Sequence, residues 1–293
     1  MSNFHKKLNR IAKDTDLCLK KFFLKKNKSN LYTPMKYGFF SGGKRLRSSI
    51  LVNTGKIFGL DRKKLIIIGA AIECVHSYSL MHDDLPAMDN DDIRRGKLTV
   101  HKKFNEFTAI LSGNALLTLA FEILSSNTLQ LSSQKKIELI KTLTLCSGNF
   151  GLAEGQYLDL TFEKKKISKK KVIDMQKKKT GELFGFCCEC AAIISGKNKK
   201  IRNDFKKIGL DIGLLFQTTD DLIDYKGNTV IAGKPTRVDA KKGKATLVRL
   251  LGYEKTINFA KKIRKNLFRR IKKYGSKSDD LLDSVDFILD RNF

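Results

Sequence analysis

The sequence predicts an all-α fold, carried as a single domain over residues 1–293. Three observations predict it. Apolar residues recur at helical spacing, and strict apolar/polar alternation is nearly absent. Only three prolines and no tryptophan occur in the whole chain. A hydrophobic content of 41 % over 293 residues suffices for a substantial core, and no composition break marks a linker.

The elements follow in order. Residues 2–26 carry Leu8, Ile11, Leu17, Phe22 and Phe23 near helical spacing, which predicts an amphipathic helix. Thr33-Pro34 reads as an N-cap and first-turn pair that opens a short helix toward Phe40. A helix over 44–58 follows, and Asp61 caps a long apolar helix that runs into an acidic cluster. Beyond a loop over 89–96, helices are predicted at about 105–124, 133–161, 169–195, 200–225, 245–272 and 278–290.

Composition narrows the class. The N-terminus lacks the apolar core of a signal peptide, and the dense apolar run over 65–72 is far short of the roughly 20 residues of a membrane span. A soluble cytoplasmic protein without a membrane span is the expectation. Cys187 and Cys190 have C-x-x-C spacing, but no second pair exists, so the six cysteines read as free thiols on core helices. The net charge of +28 invites a polyanionic partner. The lysines are spread along the chain without a nucleic-acid-binding signature, so they read as solvated helix surface with no specific nucleic-acid partner.

Against that cationic background, five of the ten residues from Asp83 to Asp92 are aspartates. Crowded like charges at the end of an apolar helix repel one another unless a cation offsets them. Carboxylate oxygens suit hard divalent ions, Mg²⁺ first. Asp83 and Asp89 are six apart, and Pro86 between them ends the helix so that the chain can return Asp89 toward the same site. In the second cluster Asp220 and Asp224 are i and i+4, one turn apart on a single helix face beside Asp221. Two acidic faces that each end a helix are best explained by metal ions shared between them.

Around these clusters sit cations that a diphosphate requires: Arg94, Arg95, Lys179 before Thr180, Lys234 and Lys244. Gly42-Gly43 enters a helix that carries Lys44 and Arg47 three apart, an arrangement able to hold a phosphate. The near match to a P-loop fails, because Arg45 stands where Ser or Thr must meet Mg²⁺ and no strand precedes it. The residues thus offer two ways to hold a diphosphate, one through metals on aspartates and one through cations alone.

These strings together resemble the trans-prenyltransferase (polyprenyl diphosphate synthase) family, and within it bacterial farnesyl diphosphate synthases. They run from Gly42–Arg47 through Glu73–Asp89, Asp91–Gly96, Gly155–Leu160, Lys179–Gly181 and Phe216–Asp224 to Gly233-Lys234 and Lys244. The resemblance implies a helical bundle around a deep central cavity, a homodimer, and Mg-dependent head-to-tail condensation of isopentenyl diphosphate with dimethylallyl and geranyl diphosphate. It implies Mg²⁺ on Asp83, Asp84, Asp89, Asp220, Asp221 and Asp224, with Arg94, Lys179, Thr180, Gln217 and Lys234 on the allylic diphosphate. It implies isopentenyl diphosphate on Gly43, Lys44, Arg47, His76 and Arg95. An aromatic residue at Tyr78, five before Asp83, implies a short product of fifteen carbons. Gln156 and Asp159 read as cavity lining, and His82 and His101 as structural. The alternatives are a geranylgeranyl diphosphate synthase and a non-catalytic subunit of the same fold, which is expected to have lost one aspartate motif.

Overall fold

The structure, a computed structural model, describes residues 3–24, 29–227 and 242–290. Helix starts fall where a side chain can accept a free N–H of the first turn. Asp61 accepts from the Lys63 N–H, Asn105 from Thr108, Asn198 from Ile201 and Thr246 from Arg249. The helices are α1 (Asn3–Leu24), α2 (Tyr32–Phe39), α3 (Leu46–Ile57), α4 (Arg62–Asp83), α5 (Val100–Lys103), α6 (Glu106–Ser125) and α7 (Ser133–Ser147). After them come α8 (Leu152–Thr161), α9 (Lys169–Gln176), α10 (Glu182–Ile194), α11 (Lys199–Lys226), α12 (Leu247–Leu251), α13 (Tyr253–Ile271) and α14 (Asp279–Leu289). Among the described residues the only strands are the two-residue pair Ile93–Arg94 and Lys97–Leu98, a hairpin within the acidic loop region. The fold is all-α, as the patterning predicts.

Several boundaries differ from the expected ones. Thr33-Pro34 does not cap α2: the helix begins at Tyr32, Leu31 holds the cap position without a side-chain bond, and Pro34 lies inside the first turn. α3 begins at Leu46, because Arg45 takes a left-handed conformation (φ 47°) and donates to Asp16 and to the Phe39 carbonyl. The helix expected over 133–161 is two helices, parted where Gly151 passes so close to Cys146 that a Cβ there would meet its carbonyl oxygen at 1.9 Å. The helix expected over 245–272 breaks at Gly252 (φ 81°). The one over 169–195 is continuous, but its middle, Lys177–Gly181, is a π-helical turn.

α4 runs through the bundle, packed by α1, α3 and α6, while α10 lies along α11 and α3. Every residue of α10 from Leu183 to Ile194 is buried, including Cys187, Cys188 and Cys190, which are free thiols as expected. α4 and α6 are each long and apolar enough to cross a membrane by length and composition, which the run over 65–72 alone does not suggest. In α4 that apolarity serves the core, with 72 % of its apolar window buried, against 39 % in α6. On α6, Phe107, Ile110 and Leu111 are exposed.

Candidate active site

α4 ends at Asp83, and the chain then reverses across Pro86. The Asp89 N–H donates to the Asp83 carbonyl at 2.8 Å, and the Asp91 N–H to that of Asp84 at 3.1 Å. This return places Asp83 and Asp89 on the wall of one cavity of about 300 Å³, which Asp220, Asp221 and Asp224 of α11 also line. Arg47, His76, Arg94, Arg95, Lys179, Thr180, Gln217 and Lys244 line the same cavity. Segments up to about 200 residues apart in the sequence thus converge, through the packing of α4 and α11 against their neighbours.

The carboxylates do not share one environment. Burial pushes Asp83 up to about 7, with Lys179 opposing the shift and Asp89 adding to it. Burial acts on Asp159 too, but Lys179 and Lys244 hold it down to about 2. Lys179 Nζ donates to Asp159 Oδ2 at 2.7 Å, and Lys244 Nζ to the same oxygen at 2.8 Å. Lys244 also reaches Asp89 Oδ1 at 2.9 Å and Glu163 Oε1 at 3.0 Å. Burial disfavours both ammonium groups, yet their acidic neighbours, Asp159 foremost, keep both firmly protonated.

A chain of amides braces the α11 side. Thr180 Oγ1 donates to Gln217 Oε1 at 2.9 Å, and Gln217 Nε2 to Asp221 Oδ1 at 2.9 Å. Gln176 Nε2 holds the other Asp221 oxygen at 2.7 Å. The π turn makes this possible by rotating Lys179 and Thr180 relative to a regular helix, a common device at functional sites. It is held against α8 by Gly155, where a Cβ would meet the Lys179 nitrogen at 2.0 Å. Asp159 is one turn beyond Gly155 and therefore faces the same way.

The far side of the cavity is cationic. The Arg47 guanidinium lies over the Phe184 ring at 4.8 Å, and its Nε is buried without a hydrogen-bond partner. Burial and then the repulsion of Arg45 bring Arg95 down to about 10. His76 is lowered by burial and then by Arg47 and Arg95, so it is neutral near pH 7. Gly43 (φ 118°) leaves the space Arg95 occupies, since a Cβ there would lie 2.7 Å from its guanidinium.

A profile described as polyprenyl synthetase matches residues 28–285. The chain belongs to the polyprenyl synthetase family. It is 37 % identical over 297 residues to the farnesyl diphosphate synthase of Escherichia coli (strain K12), covering 99 % of each protein. An apo crystal structure of an FPP/GFPP synthase from Zymomonas mobilis superposes with a TM-score of 0.87 at 38 % identity, over 98 % of this chain and 99 % of that one. A geranyltransferase from Helicobacter pylori, complexed with magnesium and isoprenyl diphosphate, superposes with a TM-score of 0.81 at 30 % identity, over 99 % and 97 %.

Not every residue that family resemblance singles out faces the cavity. Asp84 is turned away and accepts from Arg94 Nε at 2.6 Å. Lys44 is exposed, with Nζ over the Phe287 ring of α14 at 4.9 Å, outside the cavity wall. Tyr78 packs edge-on to His82, ring centres 5.3 Å apart, while Ser79 and Leu80 of the same turn line the cavity. Lys234 lies outside the described residues. Conversely, Asp159 is more than lining, and Gln176, Glu163 and Lys242 join the site without any local motif to announce them. Lys242 Nζ reaches Asp91 Oδ1 at 3.1 Å.

Among the described residues no three acidic, His or Cys side chains already cluster closely enough to hold a metal ion. The donor set nonetheless fits a hard ion: Asp83 and Asp89 face Asp220, Asp221 and Asp224 with carboxylate oxygens alone. A polar ligand also fits, because both amide atoms of Gln156 are buried on the wall without a hydrogen-bond partner.

Proposed function

We propose that this chain is a short-chain trans-prenyl diphosphate synthase that joins isopentenyl diphosphate to dimethylallyl and then geranyl diphosphate, giving farnesyl diphosphate. The observation that carries this reading is one cavity with two ends for two anions, carboxylates with lysines at one and arginines with a neutral histidine at the other. Asp83, Asp89, Asp220, Asp221 and Asp224 would hold magnesium, which would supply charge neutralisation for the departing diphosphate. Asp84 supports that wall by fixing Arg94.

Lys179 and Lys244 approach the allylic diphosphate from the other side. The allylic C–O bond breaks with its electron pair leaving on the diphosphate, and the double bond of isopentenyl diphosphate attacks the resulting cation. A proton is then lost to the departed diphosphate. The Thr180 and Gln217 oxygens, already fixed by their mutual hydrogen bond, lie where they can stabilise the cation. Arg47, Arg95 and His76 bind isopentenyl diphosphate without metal. The Helicobacter pylori relative, complexed with magnesium and isoprenyl diphosphate, supports magnesium and a prenyl diphosphate as the kinds of ligand this chain takes. The exposed Phe107, Ile110 and Leu111 of α6 support a homodimer that buries this stripe. Substrates of this charge suit a cytoplasmic enzyme.

The test is to supply isopentenyl diphosphate and Mg²⁺ with dimethylallyl, geranyl or farnesyl diphosphate and resolve the products by length. A dominant fifteen-carbon product is expected. No condensation with any of the three overturns the activity. A dominant twenty-carbon product overturns the chain length and favours the alternative of a geranylgeranyl diphosphate synthase.

A further inference from the structure

Asp159 and Lys244 are 85 positions apart in the sequence, and Asp159 and Lys179 are 20 apart. One carboxylate oxygen, Asp159 Oδ2, accepts from both ammonium groups, at 2.7 and 2.8 Å. Lys244 is shared further with Asp89 Oδ1 at 2.9 Å. The two acids differ in how they are held. Asp159 stands on α8, which Gly155 locks against the backbone of Lys179. Asp89 stands in the reverse turn after α4.

We infer that Asp159 is a positioning residue: it gathers Lys179 and Lys244 at one edge of the cavity and keeps their charge compensated, leaving Asp89 free to exchange its lysine for a cation. This rests on the proposed reading of the cavity as a diphosphate site. Two ammonium groups brought to one oxygen repel each other once that oxygen is neutral. Without the Asp159 charge, Lys244 is left to Asp89 and Glu163, and it then competes with the divalent ion for Asp89. With the charge present, both lysines stay aimed at one place and can move onto a diphosphate without crossing the cavity.

The test compares the native chain with Asp159→Asn by titration calorimetry of Mg²⁺ plus inorganic pyrophosphate, alongside steady-state kinetics. Asp159→Asn is expected to weaken pyrophosphate about tenfold or more, the scale of one to two charge-assisted hydrogen bonds. The KM for dimethylallyl diphosphate and the Mg²⁺ requirement should rise in parallel, while the KM for isopentenyl diphosphate moves less than about twofold. In a Lys179→Met/Lys244→Met background the same Asp159→Asn change should cost less than about twofold, because its effect runs through those lysines. Unchanged pyrophosphate affinity, an equal loss for both diphosphates, or the full loss in the double-lysine background overturns the inference. Should Asp159→Asn not fold, Asp159→Glu carries the test by displacing the carboxylate, with the same selective loss expected. A native chain that binds pyrophosphate but condenses no substrate pair ends the proposed activity, while the calorimetric comparison still decides the role of Asp159.

Discussion

Arg47 and Lys179 line one cavity, but their surroundings are opposite in kind. Lys179 rests on the Asp159 carboxylate at 2.7 Å, with Asp83 and Asp89 nearby. Arg47 rests on an aromatic face, crowded by Arg95 and His76, and Glu73 is the acid that chiefly compensates it. At the arginine end positive charge is in excess, so an anion can be bound directly. At the lysine end the cations are already spoken for by acids, and a further cation must arrive before an anion gains from binding there. In the proposed function, diphosphate is thus attracted by two routes, and only one of them depends on metal.

The largest expected effect breaks the metal-dependent end. Asp83→Ala or Asp220→Ala should lower turnover by several orders of magnitude while far-UV circular dichroism and the melting curve show a folded protein. Removing one of several crowded like charges can even raise the melting temperature of the ligand-free form. Near-normal turnover in either variant refutes the two-wall arrangement.

Breaking the arginine end should be milder and selective. Arg47→Ala removes charge-assisted hydrogen bonds worth about 1.5–3 kcal/mol, which is about ten- to hundredfold in the KM for isopentenyl diphosphate. The allylic KM should change far less. Lys44→Ala is expected to act on the same substrate but more weakly, since Lys44 is exposed and lies over Phe287 rather than on the cavity wall. Equal losses for the two substrates would mean the two ends have been assigned the wrong way round.

Tyr78 sharpens what lies between the ends. It sits five residues before Asp83 on α4, roughly 7.5 Å along the axis. With Tyr78→Ala, twenty-carbon and longer products should appear while the first condensation continues at a similar rate. An unchanged fifteen-carbon product from an active variant assigns the ring to packing against His82 instead.

The smallest effect is on pH-dependent stability without metal. Asp83 is pushed up to about 7 in the folded chain, against an ordinary value near 4. The folded form therefore binds more protons between those values, and stability falls as pH rises through that window. Asp159, held at about 2, has the opposite sign: its contribution is present above about pH 4 and is lost as pH falls toward about 2. Melting temperatures measured in chelator should show a decline between about pH 4 and about pH 7 that flattens in Asp83→Asn. An identical slope in the two proteins removes Asp83 from this account.

The amino-acid sequence by itself determined the all-α class, the free core thiols, the Asp61 cap and the reversal at Pro86. Each depends on short-range physics: a period of 3.6 residues, burial of apolar faces, or the missing N–H of proline. The spacing of Asp220 and Asp224 likewise puts them on one helix face whatever the packing around them. Tertiary structure alone decided which charges meet. Asp84 carries the same side chain as Asp83, yet it turns to Arg94, which the chain returning after Pro86 brings within 2.6 Å of it. Lys44 and Arg47 lie on the same entry to α3, but only Arg47 is carried inward over Phe184. Asp159 has no motif partner within reach of its own helix. Its two lysines come from a π turn and from the chain before α12, and long-range packing rather than local spacing brings all three to one oxygen.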